Sequence, residues 1–342
     1  MKQNNANFIT TALICVALFP AATSYALPDA QLRDLSNRLF GPLPDTMPGS
    51  GQDTAAMASL GQQLFFEKGL SANETQSCNT CHDLTGSKSG TEPRSVSQGA
   101  LGLTGTRNSL TVWNAGFQFS QFWDGRADSL EEQAKSPLLA HHEMALSSGL
   151  EAERVLRERG YTPAFEVAFP NQDDPVTFDN AARALAAFQR TLITADRFDR
   201  WQKGDDNALS AKEKRGLERF VSTGCNACHN GPLMGGQLFM KMGLVNPYPN
   251  QIDKGRAHIT GNAADDFLFK VPPLRNVAKT APYFHDGAIY SLEQAVKDTA
   301  WHQLGVKLKP DAVEDITAFL KALDNEREVN FTVTDNEQMR EE

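Results

Sequence analysis

The sequence predicts an all-α protein of two similar domains, with long loops and little strand. Three observations predict it. Ser129-Leu130-Glu131-Glu132, Ser210-Ala211-Lys212-Glu213 and Ser291-Leu292-Glu293-Gln294 each have the Ser-x-x-Glu/Gln form that closes a helix N-terminus. Apolar residues recur at helical spacing in Phe178 to Leu192, through Ala182, Leu185, Ala186 and Phe188, and again at Val313, Ile316, Phe319, Leu320 and Leu323. No long alternating strand pattern appears, and one five-residue pattern occurs twice, as Cys78-Asn79-Thr80-Cys81-His82 and Cys225-Asn226-Ala227-Cys228-His229.

Two cysteines three apart with histidine directly after them form the pattern for covalent c-type haem attachment. Each thiol can form a thioether to a vinyl group, and the adjoining His82 or His229 is then placed to bind the iron. A zinc site could use the four thiols but gives no reason for a histidine after both pairs. A thioredoxin-like pair needs a βαβ context that neither stretch offers. Two motifs therefore imply two haems, one per domain. The loops around them are rich in Gly, Ser, Thr and Asn, as segments packed over a cofactor would be.

In chain order, residues 1–26 read as a signal peptide: Lys2, an apolar run from Phe8 to Ala22, and Ser24-Tyr25-Ala26 before the cleavage point. The run is too short to span a bilayer and is interrupted by Pro20, so the mature chain from Leu27 is expected to carry no membrane span. With Cys15 removed, every remaining cysteine belongs to a haem motif, and no disulfide is expected. Export fits haem attachment outside the bacterial cytoplasm and implies the periplasm. A domain of residues 27–195 and a second of 196–325 are expected, with a polar tail over 326–342. The net charge of −9 argues against nucleic acid and favours a basic partner protein.

With both haem motifs in place, the chain resembles the bacterial dihaem cytochrome c peroxidases and their MauG-type relatives over nearly its whole mature length. The resemblance rests on Leu64-Phe65-Phe66, Arg107-Asn108-Ser109, Gln121 to Ala127, Glu131 to Ala134, Glu143-Met144, Cys225 to Gly231, Pro282 to Gly287 and Gln303-Leu304-Gly305. It implies that the first haem meets hydrogen peroxide and the second passes electrons to it. It puts Glu143 in the distal pocket as acid/base group, with Gln133 as a neutral hydrogen-bonding companion. Pro137, between them, is expected to end the helix that Ser129 caps. His141 and His142 adjoin Glu143 and are either further pocket groups or polar loop residues.

By the same resemblance Trp123 sits between the haems as electron relay and His285 lies near the domain interface. Asn108 through its side chain, with Thr280 and Pro282 through their carbonyls, would hold a calcium ion. Two departures stand out. Peroxidases of this family commonly place a histidine sixteen residues after the first haem histidine, where this chain has Gln98. They place an axial methionine, and MauG-type enzymes a tyrosine, where this chain has Thr299. An amide is a poor iron ligand, so the first haem is expected to be open without prior reduction. For the second haem, Met240, Met242, Tyr290 and His302 are the candidate ligands, and loss of the thioether at 299 predicts a lower potential.

The function expected from the resemblance is a periplasmic peroxidase reducing hydrogen peroxide to water with electrons from a small c-type cytochrome or cupredoxin. The alternative is a MauG-type enzyme that oxidises tryptophan or another residue of a partner protein. A pure electron carrier is the third reading, and it leaves Gln133, Pro137 and Glu143 without a purpose. A homodimer would be in keeping with such relatives.

Overall fold

The computed structural model describes residues 27–329 and 331. The expected signal peptide, with Cys15, and most of the expected tail lie outside those residues. Among the described residues the only sheet is a pair of three-residue strands, so the fold is all-α as expected. Among them, too, no helix is long and apolar enough to cross a membrane.

The chain opens with α1 (Asp29–Leu39), then α2 (Ala55–Phe66), the single turn α3 (Cys78–Cys81) and α4 (Leu130–Leu139). Helices α5 (Gly149–Glu158), α6 (Thr162–Ala168) and α7 (Phe178–Gln189) complete the first half. The second half holds α8 (Arg197–Gln202), α9 (Ala211–Thr223), the turn α10 (Ala257–Thr260), α11 (Leu292–Leu304) and α12 (Pro310–Lys321). Strands β1 (Phe239–Lys241) and β2 (Leu268–Lys270) pair antiparallel, Phe239 opposite Lys270.

The three serines read as caps do cap. Ser129 accepts from the Glu132 N–H, Ser210 from Glu213 in a reciprocal box, and Ser291 from Gln294. One detail differs: α4 runs through Pro137 and ends at Leu139 rather than at the proline. Pro137 lies in the last turn, where the missing N–H removes one bond, while the Ala140 N–H still reaches the Ser136 carbonyl at 3.0 Å. The helix predicted over Phe178 to Leu192 closes at Gln189, and Thr191 and Leu192 turn back onto Phe188 and Gln189.

Each half is organised by one close helix crossing. In the first, α2 crosses α7 at Gly61, where a Cβ would stand 1.8 Å from the Ala184 carbonyl oxygen. In the second, α9 crosses α12 at Gly216, where a Cβ would stand 2.0 Å from the Asp315 carbonyl oxygen. Backbone contact that close permits only glycine. In both halves the first helix of the crossing precedes the Cys-x-x-Cys-His turn, so the crossing sets where the motif starts. Two apolar cores follow: one spans Met57 to Leu192, the other Phe198 to Leu323. The termini exchange sides, since Leu32 and Phe40 of the α1 region join the second core while Val329 and Phe331 pack on the first.

Where the second half begins, Arg275 is fully buried and pairs with Asp196 at 2.7 Å and Asp199 at 2.9 Å. Asp196 also caps α8, so one ion cluster locks the connection at 196 against the 275 loop. Asn276 adds a bond from its amide to the Ser89 carbonyl at 3.3 Å.

Candidate functional site: two cavities sharing one tryptophan

Ser77 and Thr80 form a reciprocal cap over α3, which holds Cys78, Cys81 and His82 on one turn. These three line a cavity of about 500 Å³ together with Gln133, Pro137, His142, Glu143, Gln98, Asn108 and Trp123. The second motif lines a smaller cavity of about 190 Å³, where Cys225, Cys228 and His229 meet Met240, Met242, Phe269, His285 and Thr299. Trp123 lines both.

The His229 ring is oriented by its Nδ1, 2.9 Å from the Met234 carbonyl, which leaves Nε2 for the cavity. His82 is half-buried beside the carbonyls of Gly90 and Leu110, and its Nδ1 has no partner in hydrogen-bond geometry. Burial holds both imidazoles neutral by lowering their pKa. It pushes the thiols of Cys78, Cys81 and Cys225 up to about 12. Neutral imidazoles and thiols packed against apolar walls are the donor set that thioether attachment and axial ligation require, and the residues present fit a haem in each cavity.

Glu143 sits in the turn after α4. Its N–H donates to the Ala140 carbonyl at 2.9 Å, and its own carbonyl accepts from the Ala100 N–H at 2.7 Å. Gly99 packs so closely on this turn that a Cβ would lie 2.3 Å from the His142 carbonyl oxygen. Burial raises the Glu143 pKa above the usual carboxylate value, opposed by His142 and then Arg126. Gln133, on α4, lines the same cavity.

The Trp123 indole is 8% exposed, and its Nε1 donates to the Asn108 carbonyl at 2.8 Å. The Asn108 N–H in turn donates to the His285 carbonyl at 2.8 Å. His285 is buried, stacks on Phe269 with ring centres 4.2 Å apart, and lies edge-on to Trp123 at 6.5 Å. The two cavities thus share an aromatic residue whose indole N–H and the Asn108 backbone form a short chain of hydrogen bonds to His285.

Gln98 lines the mouth of the larger cavity, but its amide donates to the Gly102 carbonyl at 3.2 Å within its own hairpin. Of the four candidates at the second cavity, Met240 and Met242 line it. Tyr290 is exposed and bonds Ser95 at 2.7 Å, and His302 spends Nδ1 on the Asn246 carbonyl at 2.9 Å; neither lines the cavity. Asn108 donates its amide to the Arg94 carbonyl at 3.0 Å. Among the described residues the carbonyls of Thr280 and Pro282 accept no hydrogen bond.

Lys270 escaped the sequence reading. Its ammonium is buried in the wall of the second cavity, donates to the Ser120 carbonyl at 2.6 Å, and has its pKa lowered by burial to about 7. Its backbone N–H holds the Trp123 carbonyl at 2.7 Å. Leu-Phe-Lys-Val reads as ordinary strand, and no local signal marks the lysine. Arg126, stacked 3.4 Å over the Phe122 ring and bonded to Asp124 at 3.1 Å, had likewise drawn no role of its own.

A helical fold with two motif-lined cavities defines a dihaem protein. The di-haem cytochrome c peroxidase family model matches residues 55–207. The cytochrome c551 peroxidase of Pseudomonas aeruginosa is 44% identical over 310 residues, 88% of this chain and 89% of that protein. The methylamine utilization protein MauG of Methylorubrum extorquens is 35% identical, covering 89% of this chain and 88% of that one. Among solved structures, a MauG-like protein associated with microbial copper homeostasis superposes with a TM-score of 0.75 at 26% identity, covering 85% of this chain and 97% of that one. The chain belongs to the di-haem cytochrome c peroxidase family, and it is a protein of two haems.

Proposed function

We propose that this chain is a peroxidase that reduces hydrogen peroxide to water with electrons from a small c-type cytochrome or cupredoxin. One observation carries the reading: Glu143 and Gln133 face the same cavity as Cys78, Cys81 and His82, and Trp123 lines that cavity and the second one. Haem iron, when bound, supplies the redox chemistry at which peroxide is consumed. Cys78 with Cys81, and Cys225 with Cys228, would attach the groups as thioethers, and His82 and His229 would ligate them. The domain division at 195/196 gives each half one such group.

Cleaving the O–O bond calls for a proton to move from the inner to the outer peroxide oxygen. Glu143 is suited to take and return it, because burial favours its neutral form and brings its pKa towards the working range. Gln133 would orient peroxide without contributing charge. Trp123 offers a π system between the two cavities, and its N–H is held by the Asn108 carbonyl. Met240 and Met242 remain as thioether donors for the second group, in place of the methionine missing at Thr299.

The same reading includes a calcium ion held by Asn108, Thr280 and Pro282, whose free oxygens suit a hard cation. It also includes a periplasmic location and pairing into a homodimer, which sedimentation would test. The MauG-type alternative is less well supported. No phenol stands at Thr299, and Tyr290 is turned outward to Ser95. Gln98, which favours it, is compatible with both.

The test is peroxide-dependent oxidation of a reduced small cytochrome c by the holoprotein, beside Glu143→Gln. Turnover lost in the variant with an unchanged haem spectrum supports the reading. No turnover in the wild type contradicts it.

A further inference from the structure

Peroxide reduction consumes two protons per turnover, and the partly buried Glu143 needs a source for them. His142 is the nearest candidate. Its Nε2 lies 3.6 Å from Glu143 Oε1, its side chain is 53% exposed against 35% for Glu143, and it lines the same cavity. At that separation the two are an ion-pair contact that one water, or a small rotation of a half-exposed ring, closes into a hydrogen bond.

The backbone holds the pair in this relation. The Ala100 N–H clamps the Glu143 carbonyl at 2.7 Å, and the N–H groups of Glu143 and Ala145 both return to the Ala140 carbonyl. Gly99 seals the turn from the other side. Of the remaining charged groups near the cavity, Arg126 also acts on the Glu143 carboxyl, more weakly than His142, and each has a carboxylate partner of its own. Arg126 pairs with Asp124, Arg107 with Asp124 and Asp253, and His258 faces Asp253 at 3.9 Å. The hairpin over residues 98–106 presents no charged side chain. His141 is exposed and does not line the cavity.

We propose that His142 is a proton-delivery residue that reprotonates Glu143 from solvent during peroxide reduction. The inference rests on the peroxidase reading. The Nε2–H bond of the imidazolium breaks as an O–H bond forms on Glu143. Glu143 passes that proton to an oxygen released from the broken O–O bond, and the exposed ring takes another from water. The reduced cytochrome or cupredoxin supplies the two electrons, so peroxide, two protons and two electrons give two waters. An imidazole suits the task because its ring nitrogens can both take up and release a proton.

The experiment compares holoprotein of the wild type, His142→Gln, His142→Ala and His141→Gln. Turnover with a reduced small cytochrome c should fall about tenfold in both His142 variants and stay unchanged in His141→Gln. A small buffer acid that ligates iron only weakly, such as phosphate, should restore His142→Ala as its concentration is raised, which a structural role would not allow. A second readout is independent of turnover: infrared titration of the Glu143 carboxyl, identified by its loss in Glu143→Gln. Removing the nearest cation should move that titration up by about half a unit or more in His142→Gln. An active wild type with unaltered His142 variants, or with no rescue by the buffer acid, overturns the inference alone. An unmoved carboxyl titration overturns it too. A wild type that does not reduce peroxide overturns the peroxidase reading and the inference with it.

Discussion

At the residue scale, the proposed chemistry depends on Glu143. Its pKa is raised by burial, and the carboxylate has to be unprotonated at the start of each turnover. Activity should therefore fall as pH falls through that raised pKa. The acid limb of the kcat/KM profile should lie above the range of an ordinary carboxylate, and a limb at the ordinary value would contradict a partly buried, catalytic Glu143. Glu143→Gln keeps the shape of the side chain but removes the base, so kcat should drop by about 10²- to 10⁴-fold with the haem spectrum retained. The parts of the site that were legible in the sequence are local ones. Two thiols and a histidine on a single turn are fixed by spacing alone, and α3 presents Cys78, Cys81 and His82 together for that reason. The 3.6 Å approach of His142 to Glu143 and the burial of Lys270 were not legible. Both depend on how a loop or strand is packed against distant parts of the chain, which no local pattern encodes.

At the element scale, the two helix crossings position the motifs. Gly61→Ala drives a methyl into the Ala184 carbonyl, and Gly216→Ala into that of Asp315. Neither neighbour can yield, because each is backbone within a helix. Each substitution should destabilise the holoprotein by roughly 1–3 kcal/mol or more, read as a lowered midpoint in chemical denaturation. Gly51, where an added Cβ would meet nothing within 4 Å, is the control and should tolerate alanine. The helices were legible because caps and apolar spacing are short-range signals. Ser129, Ser210 and Ser291 show it. The end of α4 was misjudged because a proline in the last turn forfeits only one bond. The need for glycine at 61 and 216 was invisible, since it arises from partner helices far along the chain, at Ala184 and Asp315.

At the scale of the whole molecule, Trp123 lines both haem cavities, and Asn276 of the second half bonds the Ser89 carbonyl of the first. Trp123→Phe keeps an aromatic ring but loses the bond to the Asn108 carbonyl. Transfer between the haems, followed by rapid mixing with peroxide, should slow, while attachment of both haems stays complete. Equal rates would place the electron path elsewhere. That the protein carries two haems was legible because the haem motif occurs twice. The exchange of termini between the cores was not, since Leu32 and Phe331 carry no sign of which core they join. We propose a peroxidase whose first cavity is accessible from the outset, because Gln98 is tied to the Gly102 carbonyl. The most direct test is the initial rate at which the fully oxidised holoprotein consumes a reduced small cytochrome c on adding peroxide, compared with the protein pre-reduced by one electron. Fast and equal rates are predicted. No turnover in either form, with a long-lived oxidised haem spectrum, would contradict that claim and point to a protein substrate instead.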